Sequence, residues 1–432
     1  MTNQLKRRDF IKTSAGIVVL GALPNRARAI SANGKLRTGH VGVGGMGGAD
    51  LASISSHPAV EVAGLCDVDS TRLESAGGRH PNAKRFRDFR EMIGSLGDTL
   101  DAVVVSTPDH THAPASLAAL SAGKPVYCQK PLTHEVNEAR QMRVLAEQKD
   151  LPTQMGIQVH STPPYRRAVK IIQSGAIGKV SDVHAWSSKN WGYDGGPFQG
   201  NAAVPSSLDW NLWIGTAQMR PFHPGVYHPG NWRKLVDFGT GTLGDMGVHI
   251  FDTPYDALQL TNPKWVQTTC RAPTGVGHPE KNIVQYEFPG TDFTTDSLIW
   301  TWYDGATAPP ALGSLVGPTL PGQGALFIGE EGLLLLPHVG EARLFPEEKF
   351  TSYQRPDVPG ANHYHQWVDA CLGKGKTSAS FAYAGPLTEA LLLGVVANRF
   401  PGQKLTWDAE SLKVTNIPDA NQLISASYRK DY

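Results

Sequence analysis

Val41-Gly42-Val43-Gly44-Gly45-Met46-Gly47-Gly48 leaves an apolar run and leads into the helical-looking Ala49-Asp50-Leu51-Ala52-Ser53-Ile54. Gly42, Gly44 and Gly47 fill a G-x-G-x-x-G spacing. In such a turn the first glycine permits a sharp strand-to-helix reversal, the second lets a pyrophosphate approach the backbone, and the third lets helix and strand pack closely. The helix start, at Gly45 and Met46, offers free N–H groups and a positive dipole end to phosphates. The spacing alone is weak in a chain with 46 glycines. Its context strengthens it: the next strand-like run, residues 60–66, ends at Asp67, 20 residues after Gly47. A carboxylate there accepts the ribose hydroxyls of NAD and repels the extra phosphate of NADP, so NAD is favoured. Arg72 keeps NADP in view, and a helix cap for Ser70 onward is the other reading of Asp67.

Outward from this turn, residues 36–157 alternate short apolar runs with helical patterns, as a doubly wound parallel sheet requires. Strands are predicted near residues 37–43, 60–66, 84–86, 102–106, 125–128 and 153–157, with helices such as 116–122 and 134–148 between them. Ligands of such sheets bind at the carboxyl ends of strands. Three ends carry unusual residues: Gly42–Gly47, Thr107–His112 and Gln129–Pro131. After a helix near 165–174 the texture changes. Strand-like runs at 179–188, 265–271, 282–288, 294–303, 325–328 and 333–336 follow without alternating helices. They predict a mostly antiparallel sheet with helices 243–260 and 363–372 on one face. The expected fold is an α/β Rossmann domain over residues 35–158, then an α+β domain with an open-faced sheet over residues 159–432. The Gly-, Pro-, Trp- and His-rich stretch 191–232 reads as an active-site wall or an interface arm, and helix 388–400 as core.

A length of 432 residues points to two domains. A net charge of +1 and the absence of a basic stripe argue against nucleic acid as a partner. Lys6-Arg7-Arg8-Asp9-Phe10 precedes an apolar run from Ala15 to Leu23, and Ala27-Arg28-Ala29 supplies a cleavage site. Residues 1–29 therefore resemble a twin-arginine export signal, which predicts a periplasmic or otherwise exported protein and the export machinery as a partner. Such proteins fold in the cytoplasm, and away from an NAD pool a cofactor must be held tightly and recycled. The four cysteines, Cys66, Cys128, Cys270 and Cys371, are scattered and read as free thiols.

Three further motifs follow in order: Ser106-Thr107-Pro108-Asp109-His110-Thr111-His112 after strand four, Gln129-Lys130-Pro131 after strand five, and Gly244-Asp245-Met246-Gly247-Val248-His249 in the second domain. With the glycine turn, this order resembles the Gfo/Idh/MocA oxidoreductases, typified by glucose–fructose oxidoreductase and inositol dehydrogenase. The resemblance implies that Lys130 lies between nicotinamide and substrate and hydrogen-bonds the hydroxyl being oxidised. It implies that Ser106, Thr107, Pro108 and His112 line the cofactor with Gln129 and Gln158, and that His249 takes the hydroxyl proton. Asp245 would orient His249 or bind a neighbouring hydroxyl. The i,i+4 spacing puts Asp245 and His249 on one helix face, which also suits a plain helix pair. One departure is plain: the family's usual Glu is Gln129, and its loss is expected to leave the charge of Lys130 with less support. His110 and His112 lack a third ligand nearby, so no metal is expected. Tyr165, Trp232 and Arg233, with Arg166, Tyr193, His223, Tyr227 and His228, are candidates for a sugar-binding wall.

The implied function is an NAD(P)-dependent oxidoreductase that exchanges hydride between a secondary hydroxyl of a sugar, polyol or glycoside and a tightly held nicotinamide. Two alternatives remain: an NAD-dependent glycosidase or lyase working by transient oxidation and elimination, and a sugar-binding protein without turnover. By analogy with the family, a homo-oligomer is expected.

Overall fold

The strand–helix alternation read from the sequence closes into one parallel sheet. Its strands are β1 (Leu36–Val41), β2 (Val60–Cys66), β3 (Lys84–Phe86), β4 (Ala102–Val105), β5 (Val126–Gln129) and β6 (Thr153–Gly156), in the order β3-β2-β1-β4-β5-β6. The computed structural model describes residues 34–305, 309, 312–317, 320–425 and 427–430. The expected export signal lies outside the described residues. Ala-Val-Val-Val of β4 is buried throughout, as a central strand covered on both faces must be. Helices α1 (Met46–Ser55), α2 (Ser70–Arg79), α3 (Phe89–Leu96), α4 (His112–Ser121) and α5 (Val136–Gln148) make the crossovers. The strand order reverses between β1 and β4, which opens a crevice between the glycine turn and Ser106.

After α6 (Pro163–Gln173) come β7 (Val180–Ser187), α7 (Trp210–Ile214), α8 (Val248–Ala257), β8 (Trp265–Cys270), β9 (Asn282–Pro289), β10 (Thr294–Asp304), α9 (Gly313–Val316), β11 (Gln323–Gly329), β12 (Gly332–Pro337), β13 (Arg343–Phe345), α10 (His363–Cys371), α11 (Phe381–Ala397), β14 (Lys404–Asp408) and β15 (Lys413–Val414). The second sheet runs β13-β12-β11-β7-β10-β9-β8-β14-β15 and is antiparallel except where β10 meets β7. In β9, Val284, Tyr286 and Phe288 are buried while Gln285 is exposed and Glu287 only partly covered. That period of two turns the apolar side toward α8 and α11. Phe251 of α8 meets Trp300 edge-on at 4.4 Å.

Helix α11 also packs on α5 and so joins the two sheets. There the buried Glu389 takes two hydrogen bonds from Arg140, at 2.7 and 2.6 Å. Glu389→Ala leaves the half-buried Arg140 guanidinium to the Ala409 carbonyl, and a loss of about 1.5–3 kcal/mol in urea unfolding is expected; a change below about 0.5 kcal/mol would show the pair to be ornamental.

The structure departs from the sequence reading in two places. Helix α10 does not lie on the antiparallel sheet: Trp367 and Val368 pack with Ile54 of α1 and Tyr127 of β5, against the parallel sheet. Its apolar residues match that surface, which no local pattern announces. Strands β13, β14 and β15 were not anticipated, because they are short and carry exposed Arg343, Lys404 and Lys413.

Candidate active site

The glycine turn is as tight as its spacing demands. Gly42 has φ +80° and donates to the Cys66 carbonyl at 2.8 Å. A Cβ at Gly47 would stand 2.1 Å from the Gly42 carbonyl oxygen, so only glycine lets α1 start this close to β1. Gly45 precedes α1 without a side-chain cap; the N–H groups of Gly47 and Gly48 turn to the carbonyls of Gly44 and Gly45 at 3.0 and 3.1 Å, which leaves those of Gly45 and Met46 for a ligand. Asp67 is buried and accepts from the N–H groups of Val43 and Asp69, both at 2.9 Å. Burial pushes its pKa up while these two donors oppose the rise. It thus ties the end of β2 to the glycine turn. The helix cap is Asp69 instead, accepting from Thr71 N–H at 3.0 Å.

A cleft of about 490 Å³ runs from this turn to Lys130. Gly42, Gly44, Gly45, Met46 and Asp67 line one end, and Ser106, Thr107, Pro108, Gln129 and Lys130 the other. Arg72, Arg87 and Arg90 also border it; the sequence singled out only the first. Opposite stand Trp213, His228, Trp232 and Arg233, all from the segment between β7 and α8. That segment is a roof. It is stitched to the parallel-sheet domain by Asp209 N–H to the Val68 carbonyl (2.9 Å), Ser70 N–H to the Ser207 carbonyl (2.9 Å) and His228 with Asp69 (3.1 Å). Its own core of Trp210, Trp213, Tyr227 and Phe238 keeps it rigid. Tyr193, His223 and Tyr227 belong to that aromatic packing and not to the cleft wall. Arg166 donates to the Pro359 carbonyl, away from the cleft.

The two histidines of the third motif diverge. His110 hydrogen-bonds the Trp213 carbonyl at 3.1 Å, and burial pushes its pKa down to about 3. His112 lies behind the cleft lining, bonded to the carbonyls of Pro131 and Thr107 at 2.8 Å each. Two carbonyl partners require both ring nitrogens to donate. Burial alone would lower its pKa, but Cys128, the Asp109 carboxylate and the Pro131 carbonyl lift it to about 9. His112 is therefore a charged staple between the loops after β4 and β5, not a cofactor contact.

Gln129 faces a residue the sequence reading passed over. Its amide nitrogen donates to both oxygens of Asp50, at 3.0 and 2.9 Å, and Ser106 Oγ donates to the same carboxylate at 2.6 Å. Asp50 is wholly buried on α1, and desolvation raises its pKa to about 6 against these hydrogen bonds. An acid on the buried side of an apolar helix was the signal available for it.

Lys130 does not lack support. Its Nζ donates to the backbone oxygen and to Oδ1 of Asp245, both at 2.8 Å. Arg233 Nε donates to the same Oδ1 at 3.1 Å, and its guanidinium lies 4.3 Å from the Trp232 ring centroid. Burial would raise the Asp245 pKa, but Lys130 and Arg233 hold it well below the usual carboxylate range. Asp245 thus holds Lys130 and Arg233 on one oxygen, and no hydrogen bond joins it to His249 among the described residues. It sits in a π-helical turn, Leu243–Gly247, with His249 in the first turn of α8; such turns recur at functional sites.

His249 Nδ1 is buried without a partner. Burial, then the charges of Lys130 and His338, push its pKa well below 6.5, so the ring is neutral. His338, after β12, lies 5.6 Å away between ring centroids and hydrogen-bonds Tyr165 Oη at 2.7 Å. Tyr165 therefore reaches the site through His338, a residue no motif marked. Gln158 lies outside the cleft lining and donates to Tyr364 Oη at 3.1 Å. Among the described residues no cluster of three His, Cys, Asp or Glu side chains suits a metal ion.

Residues 36–157 match the oxidoreductase family with an NAD-binding Rossmann fold, GFO_IDH_MocA, and residues 163–274 match its C-terminal alpha/beta domain. Among curated proteins, inositol 2-dehydrogenase of Corynebacterium glutamicum is 30% identical over 147 residues, covering 34% of this chain and 43% of that protein. D-xylose 1-dehydrogenase [NADP(+)] of Haloarcula marismortui is 27% identical over 232 residues, 50% of this chain and 61% of that one. The matched region thus spans about half the length of these relatives. Among solved structures, the WlbA dehydrogenase from Bordetella pertussis in complex with NADH and UDP-GlcNAcA superposes with a TM-score of 0.62 at 15% identity, covering 87% of this chain and 99% of that one. At that identity the likeness is one of fold.

Proposed function

We propose, for a chain that belongs to the Gfo/Idh/MocA oxidoreductase family and carries its NAD-binding Rossmann domain, that it oxidises a secondary hydroxyl of a sugar, polyol or glycoside with a tightly held NAD. The observation that carries this reading is the Lys130–Asp245 pair at the inner end of the cleft, beside the unpartnered Nδ1 of His249. The cradle fits a dinucleotide: glycine at Gly42 and Gly47 lets α1 start close against β1, and the space over Gly45 is open. Gly42–Gly47 would hold the pyrophosphate and Asp67 the adenosine ribose. When bound, the nicotinamide supplies the hydride acceptor. Lys130, fixed by Asp245, directs an N–H at the substrate hydroxyl, and the neutral imidazole of His249 receives the hydroxyl proton.

Because His249 is held neutral, kcat/KM is expected to stay level as pH falls from about 7 to about 5.5. An acid limb centred near the ordinary histidine value of about 6.5 would remove His249 from that role. Asp67 favours NAD over NADP in this reading, checked by the ratio of the two dissociation constants.

The stitched roof supports a cofactor that does not exchange. His228→Ala is expected to speed NAD release roughly threefold to tenfold, since one partly buried hydrogen bond is worth about 1 kcal/mol; an unchanged rate would detach the roof from retention. A retained cofactor also favours a second reading, transient oxidation followed by elimination and return of the electrons. Release of phenol from aryl glycosides without net NADH would select it. Export through the twin-arginine route and assembly with other copies of the chain complete the proposal, tested by cell fractionation and by sedimentation.

A further inference from the structure

The inner end of the cleft carries more positive charge than oxidation of a neutral sugar requires. Lys130 and Arg233 share one carboxylate, Asp245. The next acid along the helix, Asp252, is occupied by His160 and Tyr383. A third cation, Lys189, stands just beyond β7, exposed, and the hydrogen bond it makes comes from its backbone N–H, to Ser187. Two residues on, Trp191 N–H donates to Thr242 at 2.7 Å, which pins this stretch beside the π-helical turn that holds Asp245. The charges of Lys189 and Lys130 both bear on His249 and on His338. The two imidazoles stand side by side, tilted by 41° with centroids 5.6 Å apart, so both can border one ligand. Nδ1 of His338 is taken by Tyr165, which leaves Nε2 for a ligand, and Nδ1 of His249 has no partner. Three cations and two neutral imidazoles around a single paired carboxylate make a site built for an anion.

We propose that the substrate is an acidic sugar, whose carboxylate or phosphate group is seated by Lys189 and His338 while its reacting hydroxyl meets Lys130 and His249. This rests on the placement of the sugar beside Lys130 in the reading above. The seated anion also offsets the lysine charge that adds to burial in keeping His249 neutral, so the proper substrate makes its own base stronger.

The test is titration calorimetry on the NAD-loaded protein at low salt, with D-glucuronate, D-galacturonate and glucose-6-phosphate against D-glucose and D-galactose. At least one acid is expected to bind about tenfold or more tighter than its neutral counterpart. The advantage should collapse in Lys189→Met and shrink as salt is raised. Whether the uronates or the phosphate gain most identifies the group. Equal or tighter binding of the neutral sugars, no binding of any acid, or an advantage that survives Lys189→Met overturns the proposal. The near-ultraviolet absorbance of the same samples separates the two claims. Acids that bind without forming reduced nicotinamide sink the oxidation and keep the anion seat; neutral sugars that reduce the cofactor with no preference for acids do the reverse.

Discussion

Lys130→Ala is expected to lower kcat roughly a hundredfold to ten-thousandfold while bound NAD is retained. In the proposed reaction the residue directs its ammonium at the hydroxyl that loses a proton, an interaction that strengthens as alkoxide character develops, so the loss should fall on kcat more than on KM. Asp245→Asn is expected to act through Lys130 by removing the carboxylate that holds it. Single-turnover reduction of the bound cofactor measures both. If Lys130→Ala and His249→Ala each left that rate unchanged, the site would be misplaced.

Gln129→Glu, which restores the acid usual in the family at this position, is expected to destabilise the protein by about 2–4 kcal/mol near pH 8. In the native protein the Gln129 amide nitrogen donates to both oxygens of the Asp50 carboxylate. The variant sets two carboxylates within hydrogen-bond distance in a buried site, where only one can ionise without large cost. The sign follows from linkage. Asp50 already has a folded pKa raised to about 6, above its unfolded value, so protonation stabilises the native state and that contribution is lost as pH rises through about 6. The second carboxylate moves the loss to higher pH. The melting-temperature gap between native and variant protein should be small near pH 5 and widen toward pH 8; a gap independent of pH would mean that Asp50 and position 129 do not share the burden.

The elements that sequence could resolve are those whose signal is local. Val60–Cys66 and Lys84–Phe86 were bounded to the residue, because apolar runs end at turn residues, and the glycine turn shows in its spacing, although Gly42 and Gly44 are held to glycine by Ser106 and Arg72 from elsewhere in the chain. The motif pairs across domains were legible as an order but not as contacts. That Asp245 would hold Lys130 and not His249 depends on Arg233 arriving from the roof, which nothing at either motif encodes. His338 and Lys189 were invisible for the same reason: each lies just past a strand, and only the second sheet brings them to α8. Asp50 was visible as a carboxylate in an apolar helix and was passed over because the surrounding glycines carried the reading. His112 fitted a cofactor contact by motif but stands one layer back, as a proton-rich tie between two loops.

The roof has a thermodynamic consequence beyond retention. Arg233 borders the nucleotide cleft and also hydrogen-bonds Asp245, so one wall serves both ligands. A roof that moved would carry Arg233 away from Asp245, while Lys130 keeps its own two bonds to that residue. In the proposed function linkage is reciprocal: if an occupied cleft tightens the sugar, a bound sugar tightens the nucleotide by the same factor, and protein stripped of its nucleotide should bind its substrate more weakly by that factor.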